Sequence, residues 1–410
     1  LSREARIRAR YELLVEDLEE RGINVEAVKA RLRSQHIETP SWGYGDSGTR
    51  FGVFRQDWAA RDVRERLQDG AIVHRHTGVA PAVALHIPWD KVDDWSALKQ
   101  YADDLGIGIG AINPNLFQEQ QYRLGSLCHP DAAVREKAVA HLLECTEIMR
   151  TTGSSVLSIW LADGTNYPGQ DDFRDRKARL LRCLEAAYAD LPPGSRMLVE
   201  YKFFEPAFYH TDIPDWGTAL VLCQKLGEQA QVLLDTGHHP LGTNVEFIVA
   251  HLLDEGRLGG FHFNSRKYAD DDLATGSMNP QELFLIYNEL VREELDPSST
   301  ADIAYMIDQS HNLKPKIEEM IQSIENIQRA YAQALIVPRD ELRVAREEED
   351  IVAAERVLQR AFHTDVEPLL QTVRLEMGID PEPLTAFRVS GYLEKVAAER
   401  RVGPRTGWGA

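Results

Sequence analysis

Residues 197–202, Met197-Leu198-Val199-Glu200-Tyr201-Lys202, begin as an unbroken apolar run and end charged. A short run of this kind fits a strand covered on both faces, and such strands belong to parallel sheets. Six further runs share the design, at 83–87, 107–112, 156–160, 232–235, 260–263 and 303–308. A weaker eighth lies near Ser41-Trp42-Gly43. Between them, residues 131–150, 171–189, 216–227, 245–255 and 280–293 carry helical patterns. Strand alternating with helix about eight times predicts an α/β fold closed as a (β/α)8 TIM barrel, with an open doubly wound sheet as the alternative. No glycine-rich phosphate loop opens a helix. The alternation Gly106-Ile107-Gly108-Ile109-Gly110 lies inside a strand pattern and marks close packing.

The 410-residue length suits a barrel with extensions, and 43% hydrophobic content is enough for a large core. Forty-six basic against 65 acidic side chains leave a net charge of −19. That balance argues against nucleic acid as a partner and suits an enzyme that handles cations or neutral ligands. No run of about 18 apolar residues is present, so neither a transmembrane helix nor a membrane partner is expected. The opening Leu1-Ser2-Arg3-Glu4-Ala5-Arg6 is charged and helix-prone, unlike a secretory signal. Cys128, Cys145, Cys183 and Cys223 are scattered without a CxxC pair, as expected of buried free thiols in a cytoplasmic protein.

Residues 4–35 read as charged amphipathic helices, so residues 1–338 are expected to form the barrel with its N-terminal helices. Residues 339–410 are expected to form a helical extension, with helices over 341–361 and 366–377 and a break at Pro381 and Pro383. With few apolar positions of its own, this tail is expected to embrace a neighbouring subunit rather than its own barrel.

Polar residues gather at the C-terminal ends of the runs. They are His86 with Trp89 and Asp90, Trp160 with Asp163 and Asn166, Glu200 with Lys202, Asp235 with His238 and His239, His262 with Asn264, and Asp308 with Gln309 and His311. In a barrel these ends form one rim, where active sites of this architecture lie. A single strand-end Asp is as readily a helix cap or a turn residue, and a lone strand His as readily a satisfied core residue. Six polar ends around one ring fit neither explanation.

Side chains alternate along a strand, so Glu200 and Lys202 share a face opposite Tyr201, and His262 and Asn264 share a face opposite Phe261 and Phe263. If those faces point inward, Glu200, Asp235, His262 and Asp308 converge. Three carboxylates and an imidazole suit Mg2+, Mn2+ or Co2+ better than a structural Zn2+, and without a cation they would repel one another. His238 and the loop Asp270-Asp271-Asp272 form a second group. Alone, that loop is as readily a solvated acidic turn. In an extended loop Asp270 and Asp272 aim the same way, and with His238 they suit a second cation. Lys202 is placed to hold a substrate oxygen near the metal, or to pair with a carboxylate. Trp160 and Trp89 offer either an apolar wall to a sugar or plain core packing.

Nine segments add a likeness. They are Ser41-Trp42-Gly43, Gly48-Thr49-Arg50-Phe51, Leu85-His86-Ile87-Pro88-Trp89-Asp90, Asp163-Gly164-Thr165-Asn166-Tyr167-Pro168-Gly169-Gln170, Glu205-Pro206-Ala207-Phe208-Tyr209, Gly237-His238-His239, Gly259-Gly260-Phe261-His262-Phe263-Asn264, Lys267-Tyr268 with Asp270-Asp271-Asp272, and Met306-Ile307-Asp308-Gln309-Ser310-His311-Asn312. Together they resemble the L-rhamnose isomerase family, within the xylose isomerase-like barrels, from about residue 10 into the tail. The resemblance implies an aldose–ketose isomerase that converts L-rhamnose to L-rhamnulose by moving hydrogen between C1 and C2. It implies two divalent ions, Mn2+ first, with Co2+, Mg2+ and Zn2+ as the others. Glu200, Asp235, His262 and Asp308 would hold one, and His238, Asp270 and Asp272 the second. Lys202 would meet the reacting end of the sugar, His86 would hydrogen-bond it, and Trp160 would line its apolar side. Phe51 looks like an aromatic residue that reaches into a neighbour's site, in a homotetramer with contacts through the tail and the N-terminal loop. The sequence departs from the family pattern at Tyr201, where some members carry His, and at Ser265-Arg266, where some carry Asp-Ser. Neither removes an expected ligand, and both bear on how the ligands are supported and so on which sugar is accepted. The rivals are a ketose 3-epimerase, an isomerase of another rare aldose on the same barrel, and a sugar-binding protein without turnover.

Overall fold

The computed structural model describes residues 2–49, 52–205, 209–267, 270–310, 312–401 and 403–407. Eight parallel strands close into a barrel in chain order. They are β1 Glu38–Pro40, β2 Ala82–Ile87, β3 Gly108–Pro114, β4 Val156–Ile159, β5 Arg196–Glu200, β6 Ala230–Asp235, β7 Leu258–Phe263 and β8 Ala304–Ile307. β8 pairs back onto β1, with Met306 against Glu38. Helices α1 Arg3–Glu20 and α2 Val25–Arg33 precede the barrel, and α3 Val63–Thr77 follows β1. The strands β2 to β8 lead in turn to α4 Trp95–Asp104, α5 Ala132–Thr152, α6 Phe173–Ala189, α7 Trp216–Leu226, α8 Val245–Asp254, α9 Pro280–Glu294 and α10 Lys316–Leu335. The (β/α)8 expectation is met.

Short polar side chains fix where α3 to α8 start, whereas α9 and α10 begin at or just after a proline without such a cap. Asp62, Asp94, Asp131, Asp172, Asp215 and Asn244 each accept a backbone N–H from the first turn of the helix that follows. Inside the barrel, Ala84, Ala111, Val156, Leu198, Leu233 and Met306 pack into a plug. The chemistry is thereby confined to the rim above it. Below the rim the buried Glu38 carboxylate lies where a side chain on residue 110 would go: a Cβ on Gly110 would meet Glu38 Oε2 at 2.0 Å. Outside the sheet, Phe261 and Phe263 stack on one another, and Phe263 stacks on Tyr287 of α9. That leaves His262, between them, facing inward.

Three expectations about the elements are corrected. Ser41–Tyr44 is a 3-10 helix, and the first strand is the three residues before it. The helix expected over 341–361 is two, α11 Arg339–Glu347 and α12 Ile351–His363, broken where Glu349 takes a φ of +58°. The tail continues through α13 Glu367–Glu376, α14 Pro383–Val389 and α15 Tyr392–Arg400, and it lies on its own barrel. Leu342, Val357, Leu369, Leu370, Val373 and Phe387 join the barrel's core cluster. The helices α11 to α14 add only one to three such residues each, which is why the apolar count understated the packing. Among the described residues, no helix is long and apolar enough to cross a membrane.

Candidate active site

Glu200 ends β5, Asp235 ends β6, His262 is the last-but-one residue of β7, and Asp308 directly follows β8. The register sets Asp235 beside His262 and His262 beside Met306, two residues before Asp308. One donor atom from each of the four lies within 4.8 Å of all the others. His262 Nδ1 is 3.2 Å from Glu200 Oε2 and 3.7 Å from Asp308 Oδ2. Three of the four are buried, with Glu200 and His262 3% exposed and Asp235 fully covered, while the Asp308 side chain is 25% exposed.

The groups around the set orient it. Asp235 accepts from the Gly237 N–H at 2.6 Å and from Asn264 Nδ2 at 3.0 and 3.1 Å. The Trp42 indole N–H donates to Asp308 Oδ1 at 2.8 Å and leaves Oδ2 toward His262. Burial, and then the charges of Glu200 and Asp308, push Asp235 up to about 7, against the pull of His238. Burial raises Asp308 as well. Burial alone would lower the His262 imidazole, but the facing Glu200, Asp308 and Asp235 lift it to about 10. Glu200 Oε1 and His262 Nδ1 are buried without a hydrogen-bond partner of proper geometry. Carboxylates raised, an imidazole raised and two buried atoms unsatisfied describe a cavity that is too negative on its own. A hard divalent cation fits that donor set.

The second expected group is only partly assembled. His238 Nε2 lies 2.9 Å from Asp270 Oδ1, and Asp270 Oδ2 accepts from Lys202 Nζ at 2.6 Å. Lys202 thus takes the ion-pair alternative, with Asp270 as its partner. The other His238 nitrogen, Nδ1, lies 3.1 Å from the Tyr201 carbonyl, which fixes the ring. Burial works against the His238 charge, but Asp235, Asp270 and Glu200 lift it to about 9. Asp270 is held well below the usual carboxylate range by His238 and Lys202, despite its burial. Asp272 is pushed well up by burial and by the charges of Asp270, Asp308 and Asp235. The loop is not extended: Asp270 and Asp272 both sit at left-handed φ, +50° and +47°. Among the described residues, no converging three-donor set includes His238, Asp270 or Asp272.

The opposite side of the mouth is aromatic. His86, at the end of β2, stacks on Trp89 at 3.8 Å and meets Trp42 and Phe117 edge-on at 5.5 and 5.8 Å. Phe117 meets Trp160 at 4.9 Å, and Lys202 Nζ lies 5.0 Å over the Trp160 ring. Burial lowers His86 to about 3, so the ring is neutral. His86 Nδ1 and Trp160 Nε1 are buried without partners, one atom from each ring left for a ligand. Trp42, in its contact with Asp308, and Phe117 escaped notice as site residues. Phe117 had a readable signal, as it lies three residues beyond β3 on the same rim. Asp163 belongs elsewhere: it accepts from the Ser126 and Cys128 N–H groups, and Asp212 beside it pairs with Arg176 at 2.7 Å. Cys128, Asp163 and Asp212 do converge, but the Arg176 guanidinium already supplies their cation. Phe51 and residues 206–208 lie outside the described residues.

Comparison with known proteins adds the following. A family model described as xylose isomerase-like TIM barrel matches residues 76–291. A probable sugar isomerase of Rhizobium meliloti is 47% identical over 95% of this chain and 92% of its own. Another, of Mesorhizobium japonicum, is 44% identical over the same shares. The xylose isomerase of Thermus thermophilus is 25% identical over 58% of this chain and 68% of its own. Among solved structures, D-allulose 3-epimerase from Methylomonas sp. in complex with D-allulose superposes with a TM-score of 0.51 at 14% identity, covering 73% of this chain and 98% of that one. A D-psicose 3-epimerase superposes with a TM-score of 0.50 at 14% identity, covering 74% and 98%. At that identity the likeness speaks for the fold. The extent of the family match and the two relatives above 40% identity decide the matter: the chain belongs to the xylose isomerase-like TIM barrel family.

Proposed function

We propose that this protein is a divalent-metal aldose–ketose isomerase and that L-rhamnose is its substrate. The observation that carries the proposal is the convergence of Glu200, Asp235, His262 and Asp308 across the mouth from a neutral aromatic wall. The relatives named as probable sugar isomerases support it. A bound divalent ion would supply Lewis acidity to the sugar's carbonyl and hydroxyl oxygens. Lys202 and His238 bracket Asp270, so a proton can be held or moved along Lys202–Asp270–His238 as one sugar oxygen gains a proton and the other loses one. His86 and Trp160 orient the sugar and exclude water from its apolar side. His238, Asp270 and Asp272 are the donors offered to a second cation, which would compete with Lys202 for Asp270. The homotetramer belongs to the same proposal, and sedimentation equilibrium would check it.

One observation favours a second function. Among the described residues of the barrel mouth, one four-donor set converges and the second expected group does not, which suits a one-metal ketose 3-epimerase that uses carboxylates as acid and base. The same experiment separates the two. Metal-stripped protein is given Mn2+ and a panel of aldoses and ketoses. L-rhamnulose formed from L-rhamnose is the expected product. A 3-epimer formed from a ketose, with no aldose converted, would replace the proposal with its rival.

A further inference from the structure

We propose that residues 403–407, beyond α15, are a strap that sets the aromatic wall of the site through a buried relay, with Arg66 and Asp90 as its positioning residues. Arg66 stands on α3 and is 2% exposed. Its Nη2 donates to the Thr406 carbonyl. Its Nη1 donates to Asp90 Oδ1 and, at 3.3 Å, to the Trp89 carbonyl. Asp90 is buried, and its other oxygen accepts from the His86 backbone N–H at 2.8 Å and from the Ser41 hydroxyl. One carboxylate therefore joins the residue before Trp42, the backbone of His86 and, through Arg66, the Thr406 carbonyl.

The strap is also fastened at that contact and before it. Arg400 donates to Asp69 of α3 at 2.7 and 2.9 Å. Arg405 pairs with Asp46 at 2.6 Å, and the Thr406 N–H donates to the Arg61 carbonyl at 2.7 Å. The chain passes so close to Arg66 that a Cβ on Gly407, whose φ is +121°, would fall 2.6 Å from Nη2.

Arg66 and Asp90 neutralise one another in a place without solvent. Removing the Thr406 carbonyl leaves a buried N–H of a charged group without its acceptor, which such a group tolerates poorly. The pair then shifts or draws in water, and Asp90 loosens its hold on His86 and Ser41. Glu200, Asp235 and His262 stand on β5 to β7, outside the relay. The strap therefore acts on how the sugar is held and not on those metal donors.

The test compares the full-length chain with a variant ending at residue 402 and with Arg405→Ala, by hydrogen–deuterium exchange and by kinetics. The segment 83–92 is expected to exchange about tenfold faster in the shortened chain, with segments 197–202 and 230–239 unchanged. KM for the sugar is expected to rise about fivefold at unchanged kcat and unchanged bound Mn2+. Unchanged exchange over 83–92, or acceleration of all segments together, would overturn the strap. Arg405→Ala, which keeps the chain length, should show the same pattern more weakly and decides the matter if the shortened chain does not fold. The inference rests on the proposed function only for the KM readout. A full-length chain without turnover would count against that function, while the exchange pattern would still decide the relay.

Discussion

The mouth of the barrel has a charged half and an aromatic half, built in different ways. Glu200, Asp235, His262 and Asp308 come from the ends of β5 to β8, where strand register alone brings them together. His86, Trp89, Phe117, Trp160 and Trp42 come from loops and strand ends on the β1 to β4 side, and they hold one another by ring contacts. The charged half is unfavourable by itself, because its carboxylates lie too close together in a buried place. The aromatic half is held by its own ring packing, with His86 Nδ1 and Trp160 Nε1 left without partners. A cation therefore belongs to the stability of the first half, and a ligand's carbon face to the second. The two halves should fail differently when altered.

The largest effect is expected on the charged side. Glu200→Gln should lower kcat/KM by about a thousandfold or more, because one charged donor is gone. Activity near that of the unaltered protein would break the contrast. Asp270→Asn comes next, with kcat falling by about a hundredfold while far-UV circular dichroism is unchanged. Trp160→Leu should raise KM by about tenfold and change kcat little. A fall in kcat with KM unchanged would move Trp160 from the wall to the reaction.

The smallest effect is on stability and depends on pH. Asp235 is raised from 3.8 to about 7 and His262 from 6.5 to about 10. Both hold protons more tightly in the folded chain, so protons stabilise the fold. The Asp235 contribution is lost as pH rises from about 4 to 7, and the His262 contribution as pH rises from about 6.5 to 10. Melting of the metal-free protein should therefore fall by a few degrees between pH 6.5 and 10. With Mn2+ in place of the protons the slope should flatten. Parallel slopes with and without metal would contradict the cation-demanding character of the charged half.

How much of this was legible in the sequence follows the same division. Period-two alternation sets Glu200 with Lys202 and His262 with Asn264 on one face each, and the bulky Tyr201, Phe261 and Phe263 on the other face mark the first as the inner one. The repeated apolar runs gave the eight-fold barrel for a like reason. The aromatic half was legible in part. His86, Trp89 and Trp160 lie at strand ends, whereas the Trp42–Asp308 contact joins residues 266 positions apart and leaves no local mark. The Asp270–Asp272 loop was misread as extended because neither residue is a glycine, yet both adopt left-handed φ. The break at Glu349 is hidden for the same reason, with no proline or glycine to announce it. The tail lies on its own barrel through scattered core residues such as Leu342, Val357, Leu369 and Phe387, joined by long-range ion pairs such as Arg400 with Asp69, and neither leaves a strong periodic mark.

The most direct measurement is a count of Mn2+ held by the metal-stripped protein, read by electron paramagnetic resonance, for the native chain and for Asp235→Asn. The native chain should take up a tightly bound ion at the four-donor set, and the variant should lose it while staying folded. Equal Mn2+ binding by both proteins, or none by either, would contradict the account.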